Sequence, residues 1–378
     1  LMADDMGLGK TLQLLYFIDW HAQTHPKHKP YLIVAPVSLI ENWQNEYMRF
    51  FSKPMKVTTL SSQQVPRKFD RKSIDMMQQC DIIITNYETV RNCQLNFCAV
   101  NFDIVVLDEA QKVKTPGTLV TNAVKALKST FRVAMTGTPV ENTLLDLWCI
   151  MDFCVPGLLG NAKEFAKKYQ SPLKNQDTDL IALGNEIHDK LGIYFMRRLK
   201  ADAAKDLPMK YEVKEQVNMP TIQEKMYRYV VSSYNPSKKG DMLVTIMGIR
   251  EVSEHPYLHD DSLLAHDCDE LIDDAARLTA TISFLDKIRA SSEKVILFAE
   301  RKETQKMLQR VVRNRYGYTA KIINGDTTTS SDLNAGKQSR QSAIDDFQNR
   351  HGFGVIIMSP VAAGMGLNVT AANHVIHY

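Results

Sequence analysis

The run Asp4-Asp5-Met6-Gly7-Leu8-Gly9-Lys10-Thr11 constrains this chain more than any other stretch. Glycines followed by Lys-Thr at the mouth of a helix make a phosphate-binding loop. The glycines let backbone N–H groups turn inward onto phosphate oxygens, and the following helix contributes its positive end. Such a loop needs a helix directly after it, and Leu12, Leu14, Leu15, Phe17 and Ile18 supply an apolar face at helical spacing. In this reading Gly7 and Gly9 shape the loop, Lys10 reaches the β- and γ-phosphates of a nucleotide, and the Thr11 hydroxyl ligates Mg²⁺. The full pattern asks for a further glycine where this chain has Asp4. The competing reading is a glycine-rich helix start with an incidental lysine.

Short apolar runs recur downstream. Tyr31–Ala35, Asp81–Thr85, Asp103–Leu107 and Phe131–Met135 read as buried strands, with a further one at Val57–Leu60. Pro36 closes the first of them, and Ser38 is expected to cap a helix reaching Phe50. Strands alternating with helices imply a parallel sheet covered on both faces, where ligands collect at the carboxyl ends of the strands. From Leu144 to about Ala290 the pattern turns helical, and a helix over Leu278–Ile288 leads into a second α/β unit. Its strands are Lys294–Phe298, Lys321–Ile323, Gly354–Met358 and a last one within Asn373–Tyr378, with a helix over Lys302–Arg313. The expected organisation is a first lobe over residues 1–155, helical insertions and a linker over 156–275, and a second lobe over 276–378.

A net charge of +3 does not by itself argue for nucleic acid, so any basic surface must be local. No apolar run approaches the roughly 20 residues that span a bilayer. The six cysteines are expected to be reduced intracellular thiols, and for Cys149 and Cys154 an apolar helix over Leu145–Val155 favours this. Structural zinc, through Cys93/Cys98, Cys149/Cys154 or the group His255, His259, His266 and Cys268, is the alternative.

Asp108-Glu109 at a strand end is what a Walker B motif needs. The first carboxylate holds Mg²⁺, and the second orients or deprotonates the attacking water. Thr136-Gly137-Thr138, at the end of the next strand, is either a tight turn or a sensor of the γ-phosphate state.

Taken together, these stretches resemble the Swi/Snf-type ATPases, the chromatin-remodelling branch of helicase superfamily 2. Asp5–Thr11 is similar to motif I in the form that lacks the first glycine, which accounts for Asp4. Ala35–Leu39 with Asn42-Trp43 resembles motif Ia, and Thr85–Thr89 resembles the segment between motifs Ia and II. Asp108–Gln111 is similar to motif II. Met135–Pro139, continuing through Glu141-Asn142 to Leu147-Trp148, resembles motif III. Arg197–Lys200 with Leu207–Lys210 looks like the family's stretch crossing between lobes, and His255–Leu258 is a further hallmark. Lys294–Phe298 resembles motif IV and Ser359–Asn368, with Gly364 and Gly366, motif V.

The resemblance implies two RecA-like lobes of parallel sheets with helical insertions between them, ATP and Mg²⁺ in the cleft, and double-stranded DNA held through its phosphate backbone. It assigns catalytic roles to Lys10, Asp108, Glu109 and Gln111 and nucleotide contacts to Gly7, Gly9, Thr11, Gly364 and Gly366. DNA contacts fall to Ser38, Asn42, Thr85 and Thr138. The activity implied is a DNA-stimulated ATPase and duplex translocase that remodels protein–DNA complexes, with protein partners reached through flanking domains and no membrane. Gln111 replaces the histidine common in eukaryotic members, although it can still hydrogen-bond toward motif III. Together with compact insertions it leans toward a prokaryotic, cytoplasmic, nucleoid-associated member; a nuclear location is the alternative. The chain stops at Tyr378, before motif VI, so impaired turnover is expected of it as given. A non-hydrolysing nucleotide- or DNA-binding module and an RNA helicase of the same superfamily are the competing readings.

Overall fold

The computed structural model describes residues 1–51, 55–175, 178–203, 205–206, 209–259, 262–327, 340–363 and 369–378. The chain forms two compact units, Leu1–Met209 and Lys210–Tyr378.

In the first unit β1 (Tyr31–Ala35), β2 (Val57–Thr59), β3 (Ile82–Asn86), β4 (Asn101–Leu107) and β5 (Lys128–Ala134) form one sheet in the order β2-β3-β1-β4-β5. Every pairing is parallel. The near-continuous apolar strands follow from burial of both faces. Leu32 and Val34 of β1 enter one core with Val105 and Leu107 of β4. Tyr31, Ile33 and Ala35 enter the opposite core with Ile104 and Val106. Beyond β5, Met2 makes isolated parallel bridges to both Met135 and Met196. The chain start is therefore clamped between the end of β5 and the residues around Met196. Its own apolar pattern gave no sign of this pairing.

The helix Leu144–Cys154 carries Cys149 into a further core with Leu159, Phe165, Tyr169, Ile187 and Leu191. Residues 156–209 thus belong to the first unit. In the second, β6 (Lys294–Phe298), β7 (Lys321–Ile323), β8 (Gly354–Met358) and β9 (His374–His377) pair in parallel in the order β7-β8-β6-β9. Tyr257, Cys268, Leu271 and Ala275 pack with Leu278, Ile282, Val295 and Val355, which joins residues of the expected middle segment to this second core. The 156–275 stretch is therefore shared out by the division at Met209/Lys210.

Ser38 does not cap a helix as expected. It lies in the 3₁₀ turn Val37–Leu39, and the helix Ile40–Phe50 starts after it without a side-chain cap. Among the described residues no group of three His, Cys, Asp or Glu side chains is placed to hold a metal. His255 is fully buried, with Nε2 on the Leu271 carbonyl at 2.9 Å and Nδ1 accepting from Tyr257 N–H at 3.2 Å, a packing role. No described helix is long and apolar enough to cross a membrane.

Candidate functional site

The site is built at the carboxyl edge of the first sheet. Leu1–Asp5 runs into the phosphate loop, whose Gly7 and Gly9 take φ values of 84° and 72°, where glycine carries no Cβ penalty. The helix α1 (Lys10–Thr24) starts at once, with Thr11 in its first turn. Thr136 and Gly137, after β5, press on the same loop. Thr136 N–H donates to the Met2 carbonyl at 3.1 Å, and a Cβ on Gly137 would meet Met6 Cγ at 3.1 Å.

Lys10 Nζ donates to the carbonyls of Asp4 and Asp5 at 2.8 and 3.2 Å. Burial lowers its pKa, while the carboxylates of Glu109, Asp108, Asp4 and Asp5 pull it back up. The fold thus gathers Lys10, at the start of α1, and the Asp108-Glu109 pair, after β4, into one electrostatic neighbourhood from positions far apart in sequence.

Asp108 is 8% exposed at the end of β4. Its Oδ2 accepts from Trp43 Nε1 at 2.8 Å and its Oδ1 from Glu109 N–H at 2.9 Å. Its carbonyl accepts from Tyr87 O–H at 2.6 Å. Burial pushes the carboxyl from its ordinary 3.8 up to about 6, against the opposing pull of the Trp43 hydrogen bond. Each oxygen accepts one bond and keeps lone-pair capacity, so a divalent cation would relieve the desolvated charge. The Asp108 carboxylate therefore fits Mg²⁺, and Thr11, in the first turn of α1, is the second residue that would hold it. When bound, the ion supplies charge neutralisation of phosphate oxygens.

Glu109 has φ 51°, one of two non-glycine residues with positive φ among those described. A left-handed glutamate costs about 1–2 kcal/mol and persists where its surroundings over-determine it. Here Ala110 N–H is tied to the Met135 carbonyl at 2.8 Å, and Gln111 Nε2 donates to Glu109 Oε2 at 2.7 Å. Gln111 Oε1 in turn accepts from Thr136 O–H at 2.7 Å, and Thr136 Oγ1 accepts from Thr138 N–H at 3.0 Å. The bond from Gln111 toward motif III is in place.

The four expected DNA contacts are not equivalent. Ser38 is half-buried and Asn42 exposed, both just beyond the end of β1; Asn42 Nδ2 donates to Glu46 Oε1 at 3.1 Å. Thr138 is exposed, 3.3 Å from Glu141 Oε1. Thr85 is the correction. It is fully buried, its hydroxyl donating to the Leu60 carbonyl at 2.7 Å, because β3 runs on to Asn86 and both faces of the sheet are covered. Gly364 and Gly366 lie outside the described residues. Three positions carried no role in the sequence reading: Trp43 and Tyr87, which hold Asp108, and Arg198, which pairs with Asp4. A buried tryptophan with its N–H facing a strand end has no one-dimensional signature.

A family model described as the SNF2-related domain matches residues 1–258, and the helicase conserved C-terminal domain matches 277–378. The chain belongs to the SNF2-related family. Zorya protein ZorD of Escherichia coli O139:H28 is 36% identical over the whole chain, which covers 37% of that protein. The mouse SWI/SNF-related matrix-associated actin-dependent regulator of chromatin subfamily A member 1 is 28% identical over the whole chain, covering 36% of it. This SNF2-related chain therefore spans well under half the length of these curated relatives. A solved structure of the Sulfolobus solfataricus SWI2/SNF2 ATPase core in complex with dsDNA matches all of the chain and 76% of its own, at 29% identity and a TM-score of 0.50. The two sheets are those of RecA-like lobes, as expected.

The titration of Asp108 gives a pH dependence with a definite sign. The native carboxyl holds its proton more tightly than the unfolded chain does. This group therefore makes stability fall as pH rises from 3.8 to about 6. Cation binding needs the ionised form, so it goes the other way. Mg²⁺-dependent nucleotide affinity, measured by calorimetry, should weaken as pH drops from about 7.5 to about 5.5. A flat profile over that range would remove Asp108 from the metal site.

Proposed function

We propose that this chain is the motor core of an ATP-dependent double-stranded DNA translocase, whose ATP hydrolysis is stimulated by duplex DNA and which remodels protein–DNA complexes. The observation that carries the reading is the convergence of Lys10, Asp108 and Glu109 at one loop, with Gln111 joining Glu109 to Thr136. Lys10 leaves the Asp4 and Asp5 carbonyls for phosphate oxygens when nucleotide enters. Glu109 orients the attacking water and takes its proton. Gln111 keeps that carboxylate aimed and passes its position to the Thr136–Thr138 turn on the DNA side. Duplex DNA lies along the phosphate-positioning surface that carries Ser38, Asn42 and Thr138, without base readout. Such work belongs at the nucleoid of a bacterial cell, with protein partners met through segments outside this core.

The test is steady-state ATP turnover with duplex DNA, single-stranded DNA and RNA compared side by side. Duplex DNA should stimulate most. Preference for RNA would favour the RNA-helicase alternative, and nucleotide binding without turnover on any of the three would favour a binding module. Ser38→Ala and Asn42→Ala should weaken duplex binding about equally for unrelated sequences, and binding should fall steeply with salt as counterions are released. Thr85→Val should instead lower stability by about 1–3 kcal/mol, since it strips a buried carbonyl of its partner, and leave DNA affinity unchanged. Should Thr85→Val lose DNA binding at full stability, the assignment of its hydroxyl to packing would be wrong.

A further inference from the structure

The segment Met196–Lys200, which pairs with Leu1–Asp5 through backbone hydrogen bonds, brings a second set of basic residues to the phosphate loop. Asp4, standing where the loop pattern asks for glycine, is 0% exposed. Its carboxylate accepts from the Arg198 backbone N–H at 2.8 Å, from Nε at 3.0 Å and from Nη2 at 2.5 Å. The same Nη2 donates to Gln13 Oε1 at 2.6 Å, and Gln13 Nε2 donates to the Leu8 carbonyl at 2.9 Å. Arg198 therefore braces the loop from both of its ends. Further along, Lys200 N–H donates to Asp5 Oδ2 at 2.9 Å. Its side chain is laid back over the loop: a Cβ on Gly7 would stand 3.2 Å from Lys200 Nζ and 3.3 Å from Cε.

Lys200 is exposed, and its surroundings are mixed: the loop's N–H groups, the positive end of α1 and Lys10 repel an ammonium, while the Asp4 and Asp5 carboxylates attract it. Polyphosphate at the loop adds the negative charge that favours the side chain's place over Gly7. We propose that Lys200 is a second phosphate-contacting cation of the nucleotide site, binding the polyphosphate tail of a nucleoside triphosphate, and that Arg198 is the positioning residue that holds it there. This rests on the reading of the loop as a nucleotide site. It also gives Asp4 a purpose: the carboxylate is the anchor for the segment that delivers Lys200, and Gly7 is the residue that leaves room for it.

The probes are Mg-ATP and inorganic triphosphate, titrated by calorimetry against the full chain. Lys200→Met should weaken both by the same factor, about tenfold, the usual worth of one hydrogen bond to a charged group. An equal factor marks a phosphate contact, since base and ribose are absent from one probe. Lys200→Arg should restore most of the affinity, and the melting temperature without ligand should not move. Arg198→Met should weaken triphosphate binding in the parent and much less in the Lys200→Met background, where a purely structural role would cost the same in both. Lys10→Met is the control. If it loses binding while Lys200→Met does not, the nucleotide site stands and Lys200 is overturned. If neither variant loses binding, the loop reading itself has failed and takes the proposal with it.

Discussion

Replacing Glu109 with glutamine should lower the rate of ATP hydrolysis about 10²- to 10⁴-fold, the range spanned by a positioned general base, and leave Mg-ATP affinity within about threefold. The separation follows from the two carboxylates' surroundings. Asp108 is buried and fixed by Trp43 and the Glu109 N–H; Glu109 is half-buried on a left-handed backbone, its carboxylate held by Gln111. A glutamine at 109 keeps the shape and can still accept from Gln111 Nε2, so the Gln111–Thr136 connection survives. It cannot take a proton from water. Single-turnover hydrolysis alongside calorimetric binding of Mg-ATP reads both halves of the expectation. A rate within threefold of the parent would move the base elsewhere. A parallel loss of affinity would mean that Glu109, not Asp108, carries the cation.

Much of this arrangement is legible in one dimension because buried parallel strands write themselves as apolar runs. Tyr31–Ala35, Lys294–Phe298, Lys321–Ile323 and Gly354–Met358 have the bounds expected from composition alone. The glycine-rich loop and Asp108-Glu109 stood out for a different reason, their fixed spacing, and the fold brings Lys10 and that pair together. What stayed hidden depends on partners distant in sequence. The pairing of Leu1–Asp5 is made by neighbours at Met135 and Met196, not by its own pattern. Thr85 stood at the carboxyl end of an expected strand, yet β3 runs on to Asn86, which keeps the Thr85 hydroxyl inside the packed sheet on the Leu60 carbonyl. Arg340 is a charged residue that is nonetheless 6% exposed and donates to the carbonyls of Thr327 and Asn324 at 3.0 and 3.2 Å, a structural commitment. The charge of a side chain is visible in sequence; the carbonyls that claim it are not.

Lys10→Ala should weaken Mg-ATP binding about ten- to a hundredfold and cut hydrolysis by a further 10² to 10³ at saturating nucleotide. The first figure is that of losing one or two charge-assisted hydrogen bonds, the second that of losing one fixed donor to charge developing in the transition state. The nucleotide-free loop already shows why the lysine serves both. Its ammonium is half-buried, its pKa is lowered by that burial, and it satisfies itself on the carbonyls of Asp4 and Asp5. Phosphate oxygens offer it full negative charge in place of two carbonyl dipoles, so the exchange is favourable and local. Alanine removes the cation without disturbing α1, which begins at this position and favours alanine. The melting temperature in the absence of nucleotide should therefore change little, while the rise on adding Mg-ATP should largely vanish. Calorimetry, thermal shift and saturating-nucleotide turnover on the same preparation separate the terms. Unchanged affinity in Lys10→Ala would show that Gly7–Thr11 is a helix start and no more, and the motor would have to be sought at another loop.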